Sequence, residues 1–219
     1  MNRETIEVGA FGANCVVLWE IPSEAVVVDP GAEPGAIEAL LARHGLSVAA
    51  YWLTHGHIDH ISALRELLAS RPAPVVIHAD DAEWAFSGAN RFPPYIRVPA
   101  RPESLVAWTP PRTNALSGTL AAGNFIEARV LHTPGHSPGS VCYYFEKDRL
   151  LLSGDTLFLN SVGRTDLPGG DSAALMQSLA RIARLPDDTA VVPGHGPATT
   201  IGDERRSNPF FHALRNPRP

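Results

Sequence analysis

Cysteine is scarce, lysine is nearly missing, and no stretch of the 219 residues stays apolar long enough to cross a membrane. Each absence excludes something. The two cysteines, Cys15 and Cys142, have neither CxxC spacing nor a basic neighbour to activate them, so both read as buried structural thiols with no disulfide implied. The opening Met1-Asn2-Arg3-Glu4 leads into no long apolar segment, so neither a signal peptide nor a transmembrane helix is expected and a cytoplasmic location is. Lys147 is the only lysine, and the net charge of −5 argues against nucleic acid or an anionic membrane as partner. No repeat or low-complexity segment occurs. What remains, 44% hydrophobic and 19% charged residues, is the composition of an ordinary soluble globule. A chain this long buries roughly 70% of its unfolded surface, so it needs no disulfide or structural metal merely to fold.

The chemistry gathers at Thr54-His55-Gly56-His57-Ile58-Asp59-His60, which follows the apolar run Val48–Leu53. Four residues able to bind a metal fall within six positions, more than one ion can face at so short a range but enough to serve two side by side. The alternative is a polar loop that happens to be histidine-rich; it loses ground because other strands supply further ligands.

Short β-branched runs at 4–9, 14–19 and 25–28 predict three strands, the third ending at Asp29-Pro30-Gly31. Asp29 is either a turn residue or an acceptor that orients a ligand histidine. Apolar spacing predicts a helix over 34–44 stopped by Gly45, a strand over 48–53, and an amphipathic helix whose first turn carries Asp59 and His60 and which continues through Ile61, Leu64, Leu67 and Leu68. A buried strand at 75–77 is followed by His78, read as an ordinary strand-end residue. Residues 86–118 hold six prolines among aromatics, which predicts a folded excursion without long regular elements. Strands at 125–131, 141–145, 149–153 and 189–192 follow, with a helix over 171–184 capped by Asp171.

Four strand-like runs each end in a candidate ligand: the His-x-His-x-Asp-His cluster, His136, Asp155 and His195. Strand ends project to one edge of a sheet, where loops carry function. His132 reads as structural, and His44 and His212 as solvent-exposed.

These stretches, with His136 in His-Thr-Pro-Gly-His, Asp155 in Ser-Gly-Asp-Thr and His195 in Pro-Gly-His-Gly, resemble the metallo-β-lactamase superfamily from about residue 4 to 206. The resemblance implies a single-domain α/β fold, a four-layer αβ/βα sandwich with a dinuclear site at one edge. It places His55, His57 and His136 on one metal, Asp59, His60 and His195 on a second, and Asp155 between them, with Asp59 and Asp155 taking part in catalysis. Zn, Fe or Mn suits such a nitrogen and carboxylate set. Asp155 stands where one branch of β-lactamases has a thiolate ligand, which argues against antibiotic hydrolysis.

Gly154–Phe158, Gly163–Asp171 and the tail from Gly202 are similar to the glyoxalase II-like group, which implies hydrolysis of a glutathione thioester such as S-D-lactoylglutathione by a metal-bound hydroxide. The chain ends 24 residues after His195, so it is similar to the short members without the helical glutathione-binding domain. Arg164 lies where that group carries a basic residue contacting glutathione; pairing with Asp166 is the other reading. The Gly-Arg-Thr-Asp segment is also shared with persulfide dioxygenases, which would use one iron on His55, His136 and Asp155. A lactone would be opened by the same hydroxide. The expected partner is a small, glutathione-linked substrate, with the chain a monomer or homodimer.

Overall fold

The computed structural model describes residues 1–20, 23–91, 96–110, 117–122 and 126–215. They divide between two compact units, one within residues 1–109 and 120–127 and the other within 110–119 and 128–219.

The first unit is built from β1 (Asn2–Val8), β2 (Ala13–Trp19), β3 (Glu24–Val28), α1 (Pro34–Arg43), β4 (Ser47–Trp52), α2 (Ile58–Ile61), α3 (Leu64–Ser70), β5 (Val75–His78), α4 (Ala79–Ala82) and β6 (Leu105–Trp108). Its six-stranded sheet runs β1-β2-β3-β4-β5-β6. The first three strands pair antiparallel and the last four parallel. Parallel strands are covered on both faces and so need continuous apolar sequence, which Ala25–Val28 and Val75–Ile77 supply and which the burial of these strands matches. Pro34 starts α1, its missing N–H being no loss in a first turn, and Gly45 at φ +65 ends it. Ile37, Leu40 and Leu41 bury its apolar face against Leu64 and Leu67 in one core cluster.

One expectation changes here. The helix beginning at Asp59 is broken after Ile61: the Ala63 N–H donates to the Pro30 carbonyl at 3.0 Å instead of continuing the helical ladder, and the Ser62 hydroxyl bonds back to the Ile58 carbonyl at 2.5 Å. Within the excursion over 86–118 the strand β6 is short, as the prolines require: its four residues pair parallel with β5 from Val75↔Leu105 to His78↔Trp108. Its pattern is hard to see because an edge strand needs little apolar sequence; Val106 is 48% exposed. Residues 92–95 and 111–116 of that excursion lie outside the described residues, as does position 125 of the strand expected at 125–131.

The second unit carries residues 117–119 of β7 (Ser117–Ala122) and 128–132 of β8 (Ile126–His132), the rest of these two strands falling in the first unit, and all of β9 (Val141–Phe145), β10 (Leu150–Gly154), β11 (Leu157–Phe158), β12 (Ser161–Val162), α5 (Ser172–Ile182), β13 (Ala190–Pro193), β14 (Thr199–Thr200), α6 (Ile201–Ser207) and α7 (Pro209–Arg215). Its main sheet runs β14-β13-β10-β9-β8-β7, with β10 and β13 parallel and β11–β12 a separate hairpin. Asp171 caps α5 as expected, accepting from the Ala173 and Ala174 N–H groups at 2.8 and 3.0 Å. Leu175, Leu179 and Ile182 then pack on Cys142, Tyr144 and Leu151. The short helices α6 and α7 leave no signal in the sequence because each is only two turns long, too short for apolar periodicity to register. Among the described residues no helix is long and apolar enough to cross a membrane.

Candidate metal centre

In the first unit the buried strand β4 delivers Thr54 and His55 to the core, and His57 opens α2. Asp29, Thr54, His55 and His60 are buried, while His57 and Asp59 are half-buried. Asp29 sits at φ +51, a conformation aspartate tolerates better than most residues, with its N–H held by the Trp52 carbonyl. Its carboxylate is fully used. Oδ1 accepts from the Thr54 N–H at 2.8 Å, and Oδ2 accepts from the Thr54 hydroxyl at 2.6 Å and lies 3.1 Å from His60 Nδ1.

This network sets the tautomers. A carboxylate only accepts, so His60 carries its proton on Nδ1. The Thr54 hydroxyl gives its single proton to Asp29, so its oxygen accepts from His55 Nδ1, 3.0 Å away. In both imidazoles Nε2 is therefore the lone-pair nitrogen. Asp29, His55 and His60 lie close enough to suggest a metal trio by distance alone. Asp29 faces the protonated Nδ1 of His60, however, and reaches that of His55 through the Thr54 hydroxyl, so it orients the histidines and is not itself a ligand. That resolves the two readings of Asp29. On the other edge, Asp59 Oδ2 lies 3.8 Å from His60 Nε2, and the His55 ring stands 4.2 Å from that of His60 and 4.9 Å from that of His57. The close pass of the Pro30-Gly31 turn holds this first helical turn in place; a Cβ on Gly31 would lie 1.7 Å from the Asp59 carbonyl oxygen.

The second unit gathers three further residues from the ends of three strands. His136 follows β8, Asp155 follows β10 and His195 follows β13. His136 Nδ1 donates to the Arg164 carbonyl at 2.8 Å, which again leaves Nε2 as the lone-pair atom. Asp155 Oδ2 lies 3.4 Å from His136 Nε2 and 3.6 Å from His195 Nε2. One carboxylate oxygen thus stands between two imidazole nitrogens. The pairing of β10 with β13 makes this possible, and the Gly194 N–H bonds to the Gly154 carbonyl at 2.9 Å just beyond it. Gly135, at φ +140, lets the His136 loop lie against the start of α5, where a Cβ would fall 2.4 Å from the Leu175 backbone.

The donor set fits a divalent cation. Neutral imidazoles whose Nδ1 protons are committed to oxygens, with carboxylate oxygens facing their Nε2 atoms, are what zinc, iron or manganese takes. Without a cation the same edges would set lone pair against anionic oxygen.

The remaining residues singled out in the sequence have partners outside this cluster. Arg164 forms an exposed bidentate pair with Asp166 at 2.7 and 2.8 Å, and this guanidinium brings the Asp166 carboxyl down to about 2. Its carbonyl, not its side chain, touches the site through His136. His78 caps α4 by accepting from the Asp80 N–H at 3.2 Å, and His132 Nε2 bonds to the Pro138 carbonyl at 2.9 Å. His44 is not simply solvent-exposed but pairs with Glu4 at 2.9 Å and stacks near Trp19; His212 is exposed and bonds to the Arg206 carbonyl. Both cysteines are free and fully buried, which pushes the Cys15 thiol up strongly and the Cys142 thiol to about 11. Sequence reasoning assigned no role to the Thr54 hydroxyl, Asp81, Asn90 or the Arg164 carbonyl. Thr54 and Asp29 offered a faint signal, a hydroxyl beside a ligand histidine and an acid before Pro-Gly; the other three offered none.

Comparison with known proteins agrees with this chemistry. The sequence profile of the metallo-beta-lactamase superfamily matches residues 8–195. The hydroxyacylglutathione hydrolase GloC of Haemophilus influenzae is 31% identical over 97% of this chain and 99% of its own length. Among solved structures, BLEG-1 B3 metallo-beta-lactamase is 39% identical with a TM-score of 0.84, covering 96% of this chain and 99% of that one. TTHA1623 in a di-iron-bound form is 38% identical with a TM-score of 0.82, covering 94% of this chain and 99% of that one.

Proposed function

The chain belongs to the metallo-beta-lactamase superfamily, and from that premise we propose that this metallo-hydrolase cleaves glutathione thioesters, S-D-lactoylglutathione being the first to test. His55, His57 and His136 would hold one divalent ion, Asp59, His60 and His195 a second, and Asp155 would be shared by both. The observation that carries the proposal is the position of Asp155 Oδ2, 3.4 and 3.6 Å from the Nε2 atoms of His136 and His195, two histidines assigned to different ions.

When bound, the ions supply Lewis acidity, lowering the pKa of water from about 15.7 toward about 7 and stabilising charge on a carbonyl oxygen. The protein's own groups do the rest. Asp59 and Asp155 would offset much of the added positive charge, and the half-buried Asp59 carboxylate would orient the attacking water and take its proton, which passes to the thiolate released as the C–S bond breaks. Asp29 and Thr54 keep the protons of His60 and His55 on Nδ1, and the Arg164 carbonyl does the same for His136. No serine or cysteine nucleophile is needed, and both thiols are buried in apolar cores. The activity for which GloC is named supports the thioester, and an oxygen ligand at position 155 in place of a thiolate supports it further. The likeness to BLEG-1, a B3 metallo-beta-lactamase, favours a β-lactam as the competing substrate, and the di-iron form of TTHA1623 favours iron as a competing metal.

The test is metal content by elemental analysis on protein produced with Zn, Fe and Mn all available, with thiol release, β-lactam opening and oxygen uptake assayed on the same sample. Two metals per chain with thiol released from S-D-lactoylglutathione supports the proposal. Cephalosporin opening without thioester turnover moves the substrate to β-lactams. One iron per chain with oxygen uptake on glutathione persulfide moves the assignment to a mononuclear dioxygenase, and turnover of a lactone alone to a lactonase.

A further inference from the structure

Gly56, the link between His55 and His57, is gripped on both sides by residues far along the chain. Its N–H donates to Asp81 Oδ2 at 2.9 Å, and its carbonyl accepts from Asn90 Nδ2 at 2.7 Å. Asp81 Oδ1 accepts from Trp84 Nε1 at 3.1 Å, and Asn90 Nδ2 donates also to the Ala85 carbonyl at 2.7 Å. Asp81 is 0% exposed and Asn90 6%. The Trp84 ring, tied down by Asp81, stands 5.3 Å from the His57 ring. A Cβ on Gly56 would lie 2.8 Å from Ala85 Cβ and 3.2 Å from the Trp84 ring, so residues 81–90 pack onto this glycine as tightly as they can.

Burying a carboxylate is unfavourable unless its oxygens are used. Here they serve a backbone amide and an indole. Glycine is the least restrained residue a chain can place between two ligands. Holding the N–H on one side of its Cα and the carbonyl on the other fixes both peptide planes, and with them the relative placement of the His55 and His57 backbones from which the two rings project. Asp29 and Thr54 settle which nitrogen of His55 faces outward, but nothing in that network sets the spacing of the pair.

We propose that Asp81 and Asn90 are positioning residues that set His55 and His57 as a metal-ligand pair by fixing the Gly56 peptides. The proposal rests on the reading of those two histidines as ligands.

The test uses full-length apoprotein loaded with Co(II). The visible ligand-field spectrum, the Co(II) dissociation constant by chelator competition, and the urea midpoint of the apoprotein are read for wild type, Asn90→Asp, Asp81→Asn, His57→Ala and the buried-core control Leu67→Ala. Asn90→Asp removes both donors at constant volume, and Asp81→Asn keeps the shape but loses one of two acceptor oxygens. Both variants should bind Co(II) about 10–100-fold more weakly with a shifted spectrum, while Leu67→Ala lowers the urea midpoint and leaves affinity and spectrum unchanged. Wild-type affinity and spectrum in folded Asn90→Asp and Asp81→Asn overturn the positioning role; if Asn90→Asp does not fold, the milder Asp81→Asn decides alone. A wild type that takes up no Co(II), or a His57→Ala that binds as wild type does, removes the ligand reading itself and the positioning role with it.

Discussion

The two units hold their candidate metal-binding side chains by different means. In the first, four such residues fall within six positions of one loop and one helical turn. A loop and a four-residue helix have little internal rigidity, so the cluster is braced by side chains from elsewhere: the buried Asp29 from the end of β3, and Asp81 and Asn90 from beyond β5. In the second unit His136, Asp155 and His195 come from three separate strand ends, and the braces are backbone groups. The Arg164 carbonyl holds His136, the Asp171 N–H holds the Gly135 carbonyl, and the Gly194 N–H holds Gly154. Contiguous ligands need remote side chains, whereas dispersed ligands inherit their positions from sheet pairing and glycine turns. The first arrangement should be sensitive to polar substitutions and the second to backbone geometry.

That contrast can be broken or sharpened. The largest effect belongs to Asp155→Ala, which removes a ligand and the proposed shared carboxylate at once. Metal per chain should fall together with thioester hydrolysis, the latter by roughly a thousandfold, about 4 kcal/mol of transition-state stabilisation; full activity in a metal-depleted variant would sink the centre altogether. Gly135→Ala should destabilise the apoprotein by about 3 kcal/mol in urea titration, because its Cβ meets the start of α5. An unchanged midpoint would mean that the second unit does not depend on glycine geometry as argued. Asp29→Asn keeps shape but turns an amide donor toward Thr54 or His60. It should weaken metal binding about 10–100-fold and lower apoprotein stability by about 1–3 kcal/mol, measured by chelator competition and urea unfolding.

A smaller effect concerns Cys142, whose thiol lies in the second unit's core rather than at a metal. Burial raises it from the ordinary 9.0 to about 11, outweighing the opposing hydrogen bonds from Thr133 and Thr156. A group that binds its proton more tightly when folded stabilises fully below its unfolded value and loses that contribution as pH rises through the folded one. Urea midpoints should therefore fall between pH 9.0 and about 11, less steeply in Cys142→Ala. A slope identical in both proteins would remove Cys142 as a contributor. The smallest effect is expected for Arg164→Ala. The carbonyl that holds His136 survives the substitution, so metal content and kcat should stay as they are; a change in metal content would show that the guanidinium matters to the centre, and a raised KM that it meets the substrate.

Much of this was legible in the chain. Apolar runs at Val48–Leu53 and Val141–Phe145 announced buried strands, and Ile37, Leu40 and Leu41 announced a helix face, because burial imposes its period on sequence. The edge strand β6, the break after Ile61 and the two-turn helices near the C-terminus were not legible. An edge strand needs few apolar residues, the break is made by a bond from Ala63 to the distant Pro30, and two turns are too short for a period to show. At the candidate site the seven residues proposed as ligands stand out by residue type and by their place at strand ends.

By itself, then, the sequence determined what kind of chemistry this protein is equipped for, since histidine and aspartate gathered in such numbers beyond apolar runs suit a divalent ion such as zinc, iron or manganese. Tertiary structure decided how those residues are held: that Asp29 orients and does not ligate, that Arg164 contributes its carbonyl while its side chain turns to Asp166, and that Asp81 and Asn90 fix Gly56. The physical reason is that a hydrogen bond has reach of about 3 Å in space and none in sequence, so partners 25 to 34 residues apart leave no mark on the chain between them.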